Sequence, residues 1–448
     1  MTIQTNYRYD YSRCMVMKLG MAYPEPKIAG KSHVLMTFEE ALSYIRQIDA
    51  ITQGITKIYY LVGWQYLGHD DKYPDFFEVN EALKRPQDKT AAESFRWLCE
   101  EGKKYNSVIS VHINFNDAYT NAPSFNDFVK AGALIRKRNG KPDPIEKYNG
   151  RACYKTCHKG YWESGLFKRQ FDRFAETFPF IIEAGTIHVD NFQCYKNYAP
   201  DVTIRQMQEA RSKMIAYVRE KGVDITSEFT YKESDVLPNH PVFGLPRDHF
   251  KSSPMVTLGE IPMSWWCHRM TRQELVEVPP QVYCGGMFRE KHFAKYLYGN
   301  MQAEDIVKKD NPNWAQDFVH QFATVQVPFH FLCTHKRLAI TGHGRRERCV
   351  YSDGIVSYKD KQKITQNGAV LKEKDNVFLP LIQKENTWIA YSKDGGRFTW
   401  KVPSDAVSSA KISQITTNGN VYLKDLPLHG REITLELTPG QALLVCFS

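Results

Sequence analysis

Two hydrophobic periods alternate along the first two-thirds of the chain. Arg13-Cys-Met-Val-Met-Lys-Leu-Gly20, Ile58-Tyr-Tyr-Leu-Val62, Val108-Ile-Ser-Val-His-Ile113, Thr186-Ile-His-Val-Asp190 and Asp224-Ile-Thr-Ser-Glu-Phe229 read as buried strands. Helical patterns separate them. Thr37 and Glu40 form a capping box ahead of Leu42, Ile45 and Ile48, and Gly54 closes that helix. Thr90 and Glu93 form a second box, opening a helix through Phe95, Leu98 and Cys99. Phe167, Phe171, Phe174 and Phe178 share a third helix, and Met207 to Val218 a fourth. Strands alternating with helices at this spacing imply parallel pairing with crossover helices.

Five such units over roughly 230 residues are on course for a (β/α)8 TIM barrel. Pro254-Met-Val-Thr-Leu258, Val282-Tyr-Cys284 and Val325-Gln-Val327 are candidates for its later strands. A doubly wound open sheet ranks second, since no Gly-rich phosphate turn follows any strand. Near Arg345 the helical period stops. Short alternating segments follow, divided by Ser352-Asp-Gly354, Asn367-Gly368, Asp394-Gly-Gly396 and Asn418-Gly419. The expected organisation is a barrel over 1–344 and a C-terminal antiparallel β-sandwich over 345–448.

Composition narrows the class. With 42% apolar and 24% charged residues the chain has ample material for a core, which excludes a mainly disordered protein. No apolar run reaches the length of about 18 residues that a membrane span requires. The net charge of +9 is dispersed without a basic block, so neither nucleic acid nor a membrane is an expected partner. The ten cysteines are scattered, and Met-Thr-Ile-Gln-Thr-Asn has neither a basic nor an apolar leader region. Free thiols in a cytoplasmic compartment are therefore expected.

Candidate chemistry collects where strands stop. Asp190 closes the fourth strand and Glu228 lies at the end of the fifth. Adjacent strands lie about 4.8 Å apart, so two such acids can face one pocket. Glycoside hydrolysis needs a nucleophile or base and a proton donor of this kind; about 5 Å between them gives retention and a wider gap inversion. The plainer alternative makes each acid a helix cap or salt-bridge partner. Trp64-Gln-Tyr-Leu-Gly-His-Asp-Asp71 packs an aromatic, an amide, an imidazole and two acids after the second strand, a set suited to sugar hydroxyls. His112-Ile-Asn-Phe-Asn-Asp-Ala-Tyr119 is of the same type. Cys153, Cys157 and His158 lack a second ligand pair at zinc-finger spacing, so no metal is expected. There is no nucleophile elbow, P-loop or His-Glu-x-x-His helix.

Gly63-Trp-Gln-Tyr-Leu-Gly-His-Asp70, His112-Ile-Asn114, Val189-Asp190 and Ser227-Glu228 together resemble the catalytic barrel of the endo-α-N-acetylgalactosaminidases, glycoside hydrolase family 101, related to the family 129 α-N-acetylgalactosaminidases. The resemblance implies Asp190 as nucleophile, Glu228 as acid/base and Asp70 as a holder of sugar hydroxyls. The expected function is a retaining glycosidase directed at α-linked N-acetylgalactosamine or galactose, with no cofactor. Trp64, Gln65, His69, Asp70, His112 and Asn114 would shape the sugar pocket, with Trp265, Trp266 and Trp162 as further aromatic candidates. The alternatives are a non-catalytic carbohydrate-binding protein on the same barrel, or an inverting or transferring glycosidase.

Overall fold

Six parallel strands form the central sheet: β1 (Met15–Gly20), β2 (Lys57–Val62), β3 (Ser107–Asn114), β4 (Thr186–Asp190), β5 (Asp224–Thr230) and β6 (Met263–Trp266), paired in chain order. The computed structural model describes residues 5–25, 28–148, 151–190, 192–230, 260–266, 272–282, 284, 306–402, 407–428 and 430–448, with backbone alone at 146–148, 228–230, 263–266 and 274–275. Crossovers between the first five strands run through α1 (Phe38–Thr52), α2 (Ala91–Lys103), α3 (Leu166–Thr177) and α4 (Ile204–Glu220). The capping boxes at Thr37 and Thr90 form as expected, and Thr203 with Gln206 makes a third at the start of α4. Each satisfies backbone N–H groups that a first helical turn leaves without partners.

The expected later strands fare differently. Pro254–Leu258 lies outside the described residues. Val282 sits in the 3-10 turn Pro280–Val282, and Cys284 is not in a strand. Val325–Val327 is helical: Phe322–Gln326 forms a π-helical stretch that runs into the α-helix Val327–Cys333. Pro328 explains the widened turn, because it has no N–H to return to Thr324 and its ring crowds that carbonyl. Buried Phe318, Phe322 and Phe329 fall on one helical face, and this outweighs the strand preference of the two valines.

Strand parity gives the sheet two unlike faces. Met15, Met17 and Leu19, then Tyr59 and Leu61, then Ile109, Val111 and Ile113, then Ile187 and Val189 all join the large core, together with Ile45, Ile48, Phe95, Leu98, Phe171, Phe174, Met214 and Val218 of the helices. On the other face Val16, Ile58 and Tyr60 pack with Tyr11. Beside them Lys18, Ser110, His112, Thr186, His188 and Thr226 are all buried. These polar groups bond one another: Tyr60 Oη and Tyr11 Oη lie 2.6 and 2.9 Å from Thr186 Oγ1, and His188 Nδ1 lies 2.8 Å from Thr226 Oγ1. Ser110 Oγ donates to the Thr186 carbonyl.

The C-terminal part is an antiparallel sheet of ten strands, from Arg337–Thr341 at one edge to Gly419–Pro427 at the other. A two-stranded pair, Gly396–Lys401 with Glu432–Leu437, lies against it through Trp400 stacked on Phe378 at 4.9 Å. Asn367 and Gly368 both have positive φ, the conformation a tight two-residue hairpin turn requires. The sheet is tied to α1 by paired amides, with Gln53 Nε2 donating to Asn420 Oδ1 and Asn420 Nδ2 to Gln53 Oε1, both at 2.8 Å.

The segment after β2 folds back over the sheet end. Gly63 has φ +77°, and a Cβ there would sit 1.8 Å from the Ala22 carbonyl oxygen. Gly68 is equally confined, with Ala22 backbone 2.5 Å from where its Cβ would be. His69 N–H then donates to that same Ala22 oxygen at 2.8 Å. Asp71 is fully buried and anchors the turn, accepting from Leu67 N at 3.1 Å, from Asn121 Nδ2 at 3.0 Å, and from Arg151 Nη1. Its neighbour Asp70 has φ +58° and a partly exposed side chain. Gly63→Ala combines a backbone clash with left-handed strain, so it should cost roughly 3 kcal/mol or more of stability in urea unfolding. A loss below about 1 kcal/mol would show that the turn does not depend on this close approach.

Candidate active site

The pairing of β4 with both neighbours sets the geometry. Asn114 lies opposite Asp190 in the β3–β4 ladder, and Ser227 lies opposite Val189 in the β4–β5 ladder. The next step of that second register brings Asp190 and Glu228 to neighbouring backbone positions on adjacent strands. The Glu228 side chain is outside the described residues. Asn114 Nδ2 reaches Asp190 Oδ2 at 3.4 Å and Asp117 Oδ2 at 2.8 Å. Asn114 Oδ1 accepts from the N–H groups of Asn116 and Asp117 at 2.7 and 3.0 Å, so the amide is oriented at both ends. It therefore acts between the two carboxyl groups.

His69, Asp70 and His112 gather beside this network. His69 Nε2 lies 3.5 Å from Asp70 Oδ2, and its ring meets His112 edge-on at 5.3 Å. His112 in turn stacks on His188 at 5.3 Å. Burial first, then the ammonium of Lys18, push both His112 and His188 well below the usual imidazole range, so both are neutral. A buried lysine thus places positive charge beside the two imidazoles. Tyr73 and Tyr119 line the same region; burial and then the Asp70 charge drive both hydroxyl pKa values upward.

The structure does not bring every sequence candidate here. Trp64 is fully buried on the helix-covered face, between Phe95, Phe174 and Phe178, with Nε1 donating to the His112 carbonyl at 3.2 Å. It belongs to the core: simple alternation would place it with Ile58 and Tyr60, but Gly63, with φ +77°, interrupts the strand before it and the side chain lies on the helix-covered face. Gln65 is also fully buried, and Nε2 closes the turn on the Gly68 carbonyl at 3.1 Å. Trp162 packs against Phe167 and Tyr217 at the helix layer, away from the strand ends. Trp265 and Trp266 pair with Phe229 and Thr230 at the end of β6, and their side chains are outside the described residues.

Three residues absent from the sequence-derived set lie in this region. Lys18 was detectable as the single charged position in the apolar run of β1, and His188 as a polar residue between Ile187 and Val189 of β4. Asp117 follows the end of β3 by three residues. Cys157, His158 and Cys194 form a separate cluster. Cys194 Sγ lies 3.6 Å from His158 Nδ1, and His158 Nε2 lies 2.7 Å from Asn116 Oδ1. Burial and Arg211 push His158 down to about 3. Among the described residues no group of three or more His, Cys, Asp or Glu is placed to hold a metal ion.

Residues 27–240 match the model of the glycoside hydrolase family described as Endo-alpha-N-acetylgalactosaminidase. No curated protein sequence matches the chain. Among solved structures, ligand-free α-N-acetylgalactosaminidase NagBb from Bifidobacterium bifidum superposes with a TM-score of 0.52 at 14% identity, over 79% of this chain and 58% of that one. The GalNAc complex of the same protein gives 0.52 and 14%, over 79% and 57%. At such identities the likeness is one of fold, and this chain spans less than two thirds of the NagBb chain. Over residues 27–240, which include every motif from Gly63 to Glu228, the chain is similar to the endo-α-N-acetylgalactosaminidases of glycoside hydrolase family 101.

Proposed function

We propose that this chain is a retaining glycoside hydrolase that releases α-linked N-acetylgalactosamine or galactose from glycans or glycoconjugates. Asp190 is the nucleophile. Its carboxylate attacks the anomeric carbon as the bond to the leaving oxygen breaks, and Glu228 gives that oxygen its proton. Glu228 then takes a proton from water, whose oxygen displaces Asp190 from the sugar. Two carboxyl groups supply every proton and covalent step, so the reaction calls for no cofactor. The observation that carries this reading is the register of β4 and β5, with Asp190 and Glu228 one step beyond the Val189–Ser227 pair. Neighbouring backbone positions on adjacent strands, about 4.8 Å apart, are compatible with the short carboxyl separation of about 5 Å that retention requires.

The remaining assignments follow from this. We take the six parallel strands as part of a closed (β/α)8 barrel, with the antiparallel strands beyond 345 as its sandwich partner. We further propose a reducing, cytoplasmic setting in which the ten scattered cysteines stay as thiols.

Asp190→Asn should abolish turnover of aryl α-N-acetylgalactosaminides and α-galactosides. Near-normal activity of that variant would remove Asp190 as nucleophile. Glu228→Gln should lose activity strongly on substrates with poor leaving groups and recover in the glycosylation step with an activated aryl group, which needs less protonation. An equal loss on both substrates would contradict its role as proton donor.

The adjacent acids of the His69-Asp70-Asp71 run should separate cleanly. Asp70 is the partly exposed acid, and a charged acceptor is worth about 1.5–3 kcal/mol per hydrogen bond. Asp70→Asn should therefore lower kcat/KM by roughly tenfold to several hundredfold with stability close to wild type. Asp71→Ala strands the Arg151 charge and should cost about 3–5 kcal/mol of stability. If Asp70→Asn instead destabilises the fold and spares kinetics, Asp70 is a loop cap and not a sugar ligand.

A further inference from the structure

We propose that Asp117 is a sugar-binding residue, presenting Oδ1 to a substrate hydroxyl while its Oδ2 holds the amide that orients Asp190. The proposal rests on the glycosidase reading and adds a residue to that site. Asp117 lies three residues past the Asn114–Asp190 pair, at the start of a short strand in which it pairs with Lys155. It is 8% exposed. Its Oδ2 accepts from Asn114 Nδ2 at 2.8 Å, whereas its Oδ1 is buried with no hydrogen-bond partner among the described residues. Buried carboxyl oxygens are costly without a partner, and such atoms at a strand end point to a ligand that completes them.

The surrounding charges decide the form in which Asp117 binds. Burial, then Asp70 from the turn after β2, then Asp190 from β4, raise its pKa well above the ordinary carboxylate range; only the Asn114 bond opposes them. From the paired strand, Cys153 is held protonated by burial and by Asp117 and Asp70. Lys155 gives no compensation, since its Nζ is engaged by Asp143 Oδ2 at 2.9 Å. Tyr73 and Tyr119 are neutral phenols. Burial beside two other acids therefore favours the protonated form of Asp117. With Oδ2 accepting from Asn114, that proton sits on Oδ1. Asp117 is thus a hydrogen-bond donor beside two acceptors, matching a sugar, whose hydroxyls both donate and accept. An amide reproduces the shape and the donor; an alanine reproduces neither.

The test compares wild type with Asp117→Asn and Asp117→Ala. Turnover is read with aryl α-N-acetylgalactosaminide and aryl α-galactoside, and binding by the rise in Tm caused by free N-acetylgalactosamine or galactose. Asp117→Asn should keep kcat/KM within about threefold, and Asp117→Ala should lose about tenfold to a hundredfold, mainly in KM, along with the sugar-induced Tm rise. Protonation has its own readout. Because the folded pKa lies above the unfolded value, wild type loses stability as pH rises from about 4 toward the folded value. Asp117→Asn lacks this loss, so its Tm should exceed wild type increasingly above about pH 4, and the excess should vanish below it. Equal damage from Asn and Ala would mean that a carboxylate is required and would overturn the proposal. So would an alanine variant that binds sugar as wild type does. Should wild type bind sugar without turning over either substrate, the hydrolase reading fails while Asp117 is still judged by the Tm rise. Should it neither bind nor turn over, both readings fall.

Discussion

The β4 ladder is the constraint on which the site depends. β4 pairs in parallel with β3 on one side and β5 on the other, and each pairing has a fixed register. A slip of one residue would turn Asp190 to the helix-covered face, where Ile187 and Val189 now pack. It would also carry His188 out of the polar stack into an apolar layer. Register is therefore specified twice, by burial of isoleucine and valine outward and by satisfied polar groups on the other side. The geometry of the candidate site follows from the same specification that fixes the fold.

Electrostatics then divide the work among similar groups. Asp70, Asp71 and Asp117 are three aspartates that follow strand ends, with three different fates. Asp71 is buried but surrounded by donors, including a guanidinium, and becomes a strut. Asp70 keeps contact with solvent and with His69. Asp117 is buried among other acids and has a single amide donor, which favours its neutral form. Residue type alone does not separate these cases. Burial and the sign of the nearest charges do.

Much of this was legible in the sequence. The five strands and their crossover helices announce themselves because one period points to each face of a strand and another to each face of a helix. Capping boxes at Thr37 and Thr90 mark helix starts through local chemistry that tertiary contacts do not override. The Asp190–Glu228 spacing was readable because a strand end has a fixed place in a parallel sheet. What the sequence concealed depends on three-dimensional surroundings. Trp64 looks like a sugar platform from its neighbours, yet it lies in the phenylalanine core, after the break in strand alternation at Gly63. The strand preference of Val325 and Val327 gave way to a helical face of phenylalanines and a π turn before Pro328. Asp117 stands in the polar run His112 to Tyr119, but nothing local singles it out, since its surroundings include two acids supplied by other segments.

The central claim is that Asp190 attacks the sugar directly, from a strand adjacent to the one that bears the proton donor. Stereochemistry tests it without any substitution. Proton NMR of the hydrolysis of an aryl α-N-acetylgalactosaminide, followed from the first minutes, reports which anomer leaves the enzyme before mutarotation. The account predicts the α-anomer, formed by two successive inversions at carbon one. First appearance of the β-anomer would mean that water attacks in a single step, and it would contradict Asp190 as a nucleophile.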